Sequence, residues 1–392
     1  VSLRQKIEQE IRERGPIPFS RYMELCLYDP QFGYYSRTAE KFGTGGDFYT
    51  SSDVHAVFGR LLARQFEEMW RALGSPLQIE VLELGPGRGL FAQDVLDWSQ
   101  KQFPDFYEAL HYTLVETSPA LRQRLESAFR DRIGAGKVSV PPQNQHERER
   151  HSFSRAETSE KLGRALAADV PVIVFANEFF DALPVEILSE KGSLRIAARD
   201  GRFFEEWAAP SAEEMEFLDH HGVHPEGDVR TEVSLLARIY MTHIATTIER
   251  GFLIAIDYGY TREQQLAGRH LDTLMTYRRH TASPDPYQTP GEQDITAHVN
   301  FTALTAAVEQ GGLQVHKLVT QSQFLMGIGE GTQFADAFEQ CRLPQERAKV
   351  ALQLRHLITP EGMGERFQVL VASKGVEPQI VSDLKGLSFA KG

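Results

Sequence analysis

Two clusters in this 392-residue sequence have the residue types and spacing to do chemistry. The first is Ile79-Glu80-Val81-Leu82-Glu83-Leu84-Gly85-Pro86-Gly87-Arg88-Gly89-Leu90-Phe91. Its apolar run reads as a buried strand, and three glycines with one residue between each follow it. Gly85 and Gly87 let the backbone bend sharply and leave room for a ligand against it. Glu83 places an acid just before the turn. A second acid, Glu116, ends the next apolar run, at the point where doubly wound folds hydrogen-bond ribose hydroxyls. A dinucleotide fold wants glycine or alanine where Leu90 stands, and a pyrophosphate gains nothing from Glu83. S-adenosylmethionine has a cationic ammonium and sulfonium and no pyrophosphate, so it suits the pattern better than NAD. Glu83, Gly85, Gly87, Gly89 and Glu116 are therefore the expected cofactor contacts.

The second cluster is Asn177-Glu178-Phe179-Phe180-Asp181-Ala182-Leu183-Pro184, directly after an apolar run. Open α/β sheets bind ligands beyond the carboxyl ends of their strands, so this cluster faces the reacting end of the cofactor. Methyl transfer from a sulfonium is an in-line displacement that needs mostly positioning. Carboxylates at Glu178 and Asp181 can orient a guanidinium and draw its charge toward one nitrogen. Asn177 and nearby carbonyls can place the methyl acceptor. Glu178, Asp181 and Asn177 are the expected catalytic set, with Phe179 and Phe180 on the substrate side. The chemistry calls for no metal, and His111, His146 and His151 have no metal-ligand geometry.

The elements that position these clusters follow from periodicity. Strands are expected over 79–84, 111–116, 138–140, 170–176, 251–257, 313–319 and 367–372, with a helix from Leu90 through Trp98 after the glycines. The expected fold is α/β: a class I methyltransferase, Rossmann-like sheet of seven strands, with strand seven antiparallel beside strand six. An N-terminal helical and lid segment (1–74) precedes a methyltransferase domain (75–392). Residues 3–14 read as an amphipathic helix, Phe19 starts a second, and 54–73 form a third. Between them, the glycine- and aromatic-rich stretch 43–50 is of the kind that closes over a ligand. Insertions are expected at about 188–228, with a hairpin turning at Asp200-Gly201, and at about 320–360, mainly helical. Residues 229–250 read as one helix, 141–164 as an exposed polar stretch, and 277–290 as a polar loop.

The composition, 41% hydrophobic and 24% charged, is ordinary for a globular chain with one elaborated domain or two. A formal net charge of −12 disfavours non-specific nucleic-acid binding and suits a basic protein partner. The two cysteines, Cys26 and Cys341, give neither a disulfide framework nor zinc spacing, which points to a reducing compartment. No apolar run reaches membrane-spanning length. No signal-peptide core or transit pattern opens the chain, so a cytoplasmic setting is expected.

In order along the chain, the pieces resemble the MidA-like methyltransferases, a family that includes a mitochondrial complex I assembly-factor arginine methyltransferase. The matching residues are Tyr28-Asp29-Pro30, Gly33-Tyr34-Tyr35, Gly46-Asp47-Phe48-Tyr49-Thr50 and Phe58-Gly59. The glycine turn, the octet Asn177 to Pro184, and Gln293-Asp294-Ile295-Thr296-Ala297-His298-Val299 complete the set. The resemblance implies an S-adenosylmethionine-dependent enzyme acting on a protein arginine, with a respiratory-complex subunit as a candidate partner. It also implies cofactor contacts from Gly46, Asp47 and Thr50, and substrate-side places for Asp294 and His298. A homodimer is the expected assembly. Asn300 departs from the family pattern, which has an acidic residue after the His-Val pair. A small-molecule or RNA methyltransferase of the same fold would keep every cofactor residue, as would a cofactor-binding assembly factor with little catalysis.

Overall fold

The computed structural model describes residues 2–37, 56–141, 170–278, 281–283 and 285–391. The expected lid, 43–50, and nearly all of the polar stretch 141–164 lie outside the described residues. Among the described residues, seven main strand positions make the central sheet, and the short strand Val299–Asn300 pairs in parallel with the end of Gly251–Tyr260. In chain order the seven are β1 (Ile79–Leu84), β2 (Leu110–Val115), β3 (Val138–Ser139), β4 (Val172–Asn177) and β5 (Gly251–Tyr260). Then come β6, in two pieces (Gln314–Val315 and Val319–Thr320), and β7 (Phe367–Lys374). Across the sheet the order is β3-β2-β1-β4-β5-β7-β6. Positions β1 to β5 pair in parallel, and β7 runs antiparallel to both β5 and β6. This is the expected class I arrangement. Winding reverses between β1 and β4, so their carboxyl ends lie side by side, with Leu84 opposite Ala176.

Burial on both faces explains why these strands read as continuous apolar runs. Val81, Ile173, Phe175, Ile254 and Val369 point into one core, with Phe58, Phe66 and Phe91 from the helices Ala56–Ala72 and Leu90–Gln102. Leu82, Val174, Leu253 and Leu370 point into the other, with Met241, Ile244 and Leu304 from the helices Leu235–Thr247 and Phe301–Gln310. Phe91 stacks on Phe175 with ring centroids 4.5 Å apart. That contact fixes the helix after the glycines to β4, the strand that carries the second cluster.

Several elements differ from the sequence expectation. Residues 229–250 are not one helix: Thr231–Val233 pairs with Glu186–Ser189 as a strand, and the helix begins at Leu235. The β-branched pair Thr231 and Val233 takes the neighbouring edge, and no helix can use those amides as well. Position β6 is broken, although the His316 amide still donates to the Val371 carbonyl at 2.9 Å. The region of the expected polar loop holds a three-stranded sheet, Met275–Arg278, Thr281–Ser283 and Asp294–Thr296. The expected hairpin is present: Gly192–Arg199 pairs with Arg202–Ala208 through Asp200 and Gly201, whose φ angles are 51° and 76°. Its other edge pairs with Ile17–Pro18. The N-terminal helices and this insertion thereby share one core, with Phe19 and Tyr22 against Leu194 and Ile196. The segment 320–360 is helical, as expected.

One glycine shows how tightly β5 is seated. Gly251 has φ +147°, and an added Cβ there would lie 1.9 Å from the Val172 carbonyl oxygen. Gly251→Ala is expected to cost about 3 kcal/mol of stability or more, seen as a lower urea midpoint with an unchanged slope.

Candidate cofactor and methyl-acceptor site

The glycine turn leaves β1 with all three glycines left-handed, at φ 64°, 55° and 76° for Gly85, Gly87 and Gly89. Their surroundings differ. A Cβ on Gly85 would meet the Phe179 ring at 2.9 Å, and one on Gly89 would meet Phe129 at 2.6 Å and Leu125 at 2.7 Å. At Gly87 nothing lies within 4 Å. Gly85 and Gly89 therefore permit close packing, whereas Gly87 borders open space, the cradle a ligand needs. The Gly85 amide donates to the Val115 carbonyl at 3.0 Å, which ties the turn to β2.

Glu116 follows β2 beside that space. Its carboxylate accepts the Ser118 amide at 2.8 Å, and the amides of Thr117 and Gly87 also favour its charge. Burial outweighs them and pushes it up to about 6. Glu83 is not open to a crevice, as the sequence reading had it. Strand parity puts it on the same face as Val81, beneath the turn, and it is 5% exposed. The Tyr112 hydroxyl donates to it at 2.8 Å. Burial, and then the charge of Glu116, push it up to about 8.

The second cluster is held from β5. Glu178 has φ 50°, a conformation a non-glycine residue keeps only when its surroundings impose it. Asp257 supplies that constraint. Its Oδ2 accepts the amides of Phe179, Phe180 and Asp181 at 3.2, 3.0 and 3.3 Å, and its Oδ1 accepts the Tyr258 amide at 3.0 Å. The Glu178 amide donates to the Ile256 carbonyl at 2.9 Å. Burial, followed by the charges of Asp181 and Glu178, pushes the Asp257 carboxyl well above its ordinary range. The sequence reading ended a strand at Asp257 and gave it no role. The available signal was an acid closing an otherwise wholly apolar strand.

Asp181 is buried, and the Tyr258 hydroxyl donates to its Oδ2 at 2.6 Å. Burial pushes Asp181 up to about 6. The Asn177 amide nitrogen donates to Glu178 Oε1 at 3.2 Å. Asn177 Oδ1 is buried and has no hydrogen-bond partner among the described residues, an acceptor that bound substrate could satisfy. Phe179 covers Gly85 and reaches Tyr240, with ring centroids 6.1 Å apart, while Phe180 lies in the core.

Asp294 faces the same region and accepts the Tyr35 hydroxyl at 3.0 Å. The Tyr28 hydroxyl donates to the Ala182 carbonyl at 2.9 Å, and the Tyr28 and Tyr35 rings lie 5.4 Å apart. Burial, then the charges of Asp181 and Asp294, raise the Tyr28 phenol, so both acids face this tyrosine cluster. The sequence reading quoted Tyr28 and Tyr35 within motifs without giving them a place at the site. His298 sets its ring edge-on to Tyr258, and its Nδ1 lies 3.1 Å from Nδ1 of His270. Burial, then His270 and Arg366, push His298 down to about 4, so it is neutral at physiological pH. Asn300 caps the helix Phe301–Gln310, accepting the Ala303 amide at 3.0 Å and donating to the His221 carbonyl at 2.9 Å. Gly46, Asp47 and Thr50 lie outside the described residues.

Comparison with known proteins agrees with this geometry. The family described as "Putative S-adenosyl-L-methionine-dependent methyltransferase" matches residues 61–319. The Drosophila melanogaster protein named "Protein arginine methyltransferase NDUFAF7 homolog, mitochondrial" is 30% identical over 389 residues, 96% of this chain and 85% of that one. The Homo sapiens protein arginine methyltransferase NDUFAF7, mitochondrial, is 28% identical over 378 residues, 91% of this chain and 80% of that one. A COG1565 superfamily protein from Burkholderia thailandensis, solved bound to S-adenosyl-homocysteine, is similar with a TM-score of 0.78 and 29% identity. That match covers 100% of this chain and 95% of the other. The expected cytoplasmic setting is contradicted by the arginine methyltransferase relatives, which are mitochondrial by name. The glycine turn, Glu116, Asp181 and Asp257 all fall within the matched residues, and the chain belongs to this family: it is an S-adenosylmethionine-dependent methyltransferase.

Proposed function

We propose that the protein transfers a methyl group to an arginine side chain of a protein partner. The observation that carries this reading is the convergence of Asp181 and Asp294 on the tyrosines Tyr28, Tyr35 and Tyr258, beside Glu178 at the end of β4. Paired carboxylates match the planar donors of a guanidinium, and tyrosine faces attract a cation. The names of the relatives support a protein arginine as acceptor. The net charge of −12 favours a cationic partner. The family resemblance adds a respiratory-complex subunit as candidate substrate, and a homodimer is the candidate assembly.

S-adenosylmethionine supplies, when bound, an electrophilic methyl group on a good leaving group. In this reading Gly87 gives it room and Glu116 accepts its ribose hydroxyls, while Glu83, which burial raises to about 8, lies beneath the turn as a predominantly neutral carboxyl at neutral pH. Gly85 and Gly89 shape the turn at the start of the proposed 75–392 domain, and the family resemblance adds Gly46, Asp47 and Thr50 of the proposed 1–74 segment, outside the described residues, as candidate cofactor contacts. Glu178 and Asp181 hold the guanidinium, and Glu178 draws positive charge toward the nitrogen it binds, leaving another nitrogen more nucleophilic. Asn177 Oδ1 accepts an N–H of the acceptor. Phe179 and Phe180 keep this segment against the turn. Asp294 adds a second carboxylate on the substrate side, and neutral His298 adds no like charge to oppose a cation.

Two measurements test the reading. Ribose hydroxyls favour the ionised form of Glu116, whose carboxyl sits at about 6 without ligand. Cofactor affinity should therefore be full above that pH and fall as pH drops through it, because binding must then expel a proton. In calorimetry, Glu116→Gln should lose about 1–3 kcal/mol of affinity and flatten this dependence. Glu178→Gln keeps the shape and removes the charge. It should bind cofactor nearly normally and transfer labelled methyl to protein arginine about 10²-fold more slowly. Normal transfer by that variant, or label found only on RNA or a metabolite, would end the arginine assignment.

A further inference from the structure

Arginine methylation releases a proton, and the structure points to where it goes. The bond from the guanidinium nitrogen to the methyl carbon forms as the carbon–sulfur bond breaks. The electron pair of the broken bond stays on sulfur as a neutral thioether, and the attacking nitrogen must shed one proton. Resting on the arginine reading above, we propose that Asp181 takes this proton, and that Asp257 and Tyr258, consecutive residues on β5, position its carboxylate for the task.

Asp181 is fixed from both ends. Its amide donates to Asp257 Oδ2 at 3.3 Å, and its Oδ2 accepts the Tyr258 hydroxyl at 2.6 Å. Its Oδ1 is buried and has no hydrogen-bond partner of good geometry among the described residues, although the Ala182 amide favours its charge. Oδ1 is thus the atom available to an incoming N–H. Glu178 sits differently: its Oε1 accepts the Asn177 amide nitrogen, and it is less enclosed. That suits holding the cation more than receiving a proton.

The groups facing Asp181 set its proton affinity. Glu178 lies on its own segment, and Asp257 and Tyr258 come from β5. Tyr28 and Tyr35 come from N-terminal helices, and Asp294 and Tyr277 from the small sheet. His298 and Arg366 stand beyond Tyr258 and Tyr277. Burial raises Asp181 to about 6, while the hydrogen bond from Tyr258 lowers it. The result is a carboxylate ionised at neutral pH with more basicity than an exposed aspartate, which suits a proton acceptor.

Tyr258→Phe keeps the ring against His298 and Phe367 and removes only the hydroxyl. Two readouts are needed: kcat/KM against pH on an arginine-containing peptide, and the carboxyl 13C titration of aspartate-labelled protein without substrate or cofactor. The wild type should show an acid limb and an Asp181 titration near pH 6. In Tyr258→Phe both should move upward by about one pH unit, with S-adenosylhomocysteine affinity unchanged. A rate lowered equally at every pH, with limb and titration unmoved, would reduce Tyr258 to packing and overturn the proposal, as would no change at all. Wild-type label on something other than arginine would instead defeat the acceptor reading, and the proton step with it. Methylarginine formed with an unmoved limb would defeat the proton step alone.

Discussion

The site depends on one buried carboxylate. Asp257 collects the amides of Phe179, Phe180 and Asp181 on one oxygen and that of Tyr258 on the other. A buried carboxyl stripped of its amide donors costs several kcal/mol, so this segment cannot relax without leaving those groups unsatisfied. That is why Glu178 keeps a left-handed backbone. The sheet thus sets the site directly: β5 dictates the chain path at the end of β4, and Phe91 on Phe175 fixes β4 to the helix behind the glycine turn. Glycine turn and acidic segment are positioned by the same three adjacent strands.

The electrostatics follow from that packing. Glu83, Asp181 and Asp257 are buried and Glu116 is half-buried, and loss of water raises each of their carboxyls. The charge of Glu116 raises Glu83 further and that of Asp181 raises Asp257, so the acids stand as two mutually unfavourable pairs. In the proposed reading, the ammonium and sulfonium of the cofactor and a cationic acceptor would relieve that repulsion. Local strain of this kind persists at functional sites because the surrounding core over-determines it.

The sheet was legible because β1, β4, β5 and β7 are covered on both faces and so read as unbroken apolar runs. The turn was legible because three left-handed positions call for glycine at fixed spacing. The role of Asp257 was hidden, since its partners lie 76 to 78 residues earlier in the chain and an acid at a strand end looks unremarkable. Tyr28 reaches a carbonyl 154 residues away, and no local pattern encodes such a contact. Thr231–Val233 was hidden in an apparent helix because its three residues make sense only beside Glu186–Ser189. Glu83 is a different case. Alternation from Val81 already places it beneath the turn, so its burial was available to a stricter reading of strand parity.

The most direct measurement is a crystal structure of this protein with S-adenosylhomocysteine. The ribose hydroxyls should lie within hydrogen-bond reach of the Glu116 carboxylate, the adenosine against Gly87, and the sulfur on the side of Asn177 and Asp181. The hydrogen bonds from residues 179–181 to Asp257 should be retained. Ribose bound away from Glu116, or a sulfur directed away from Asp181, would contradict this account.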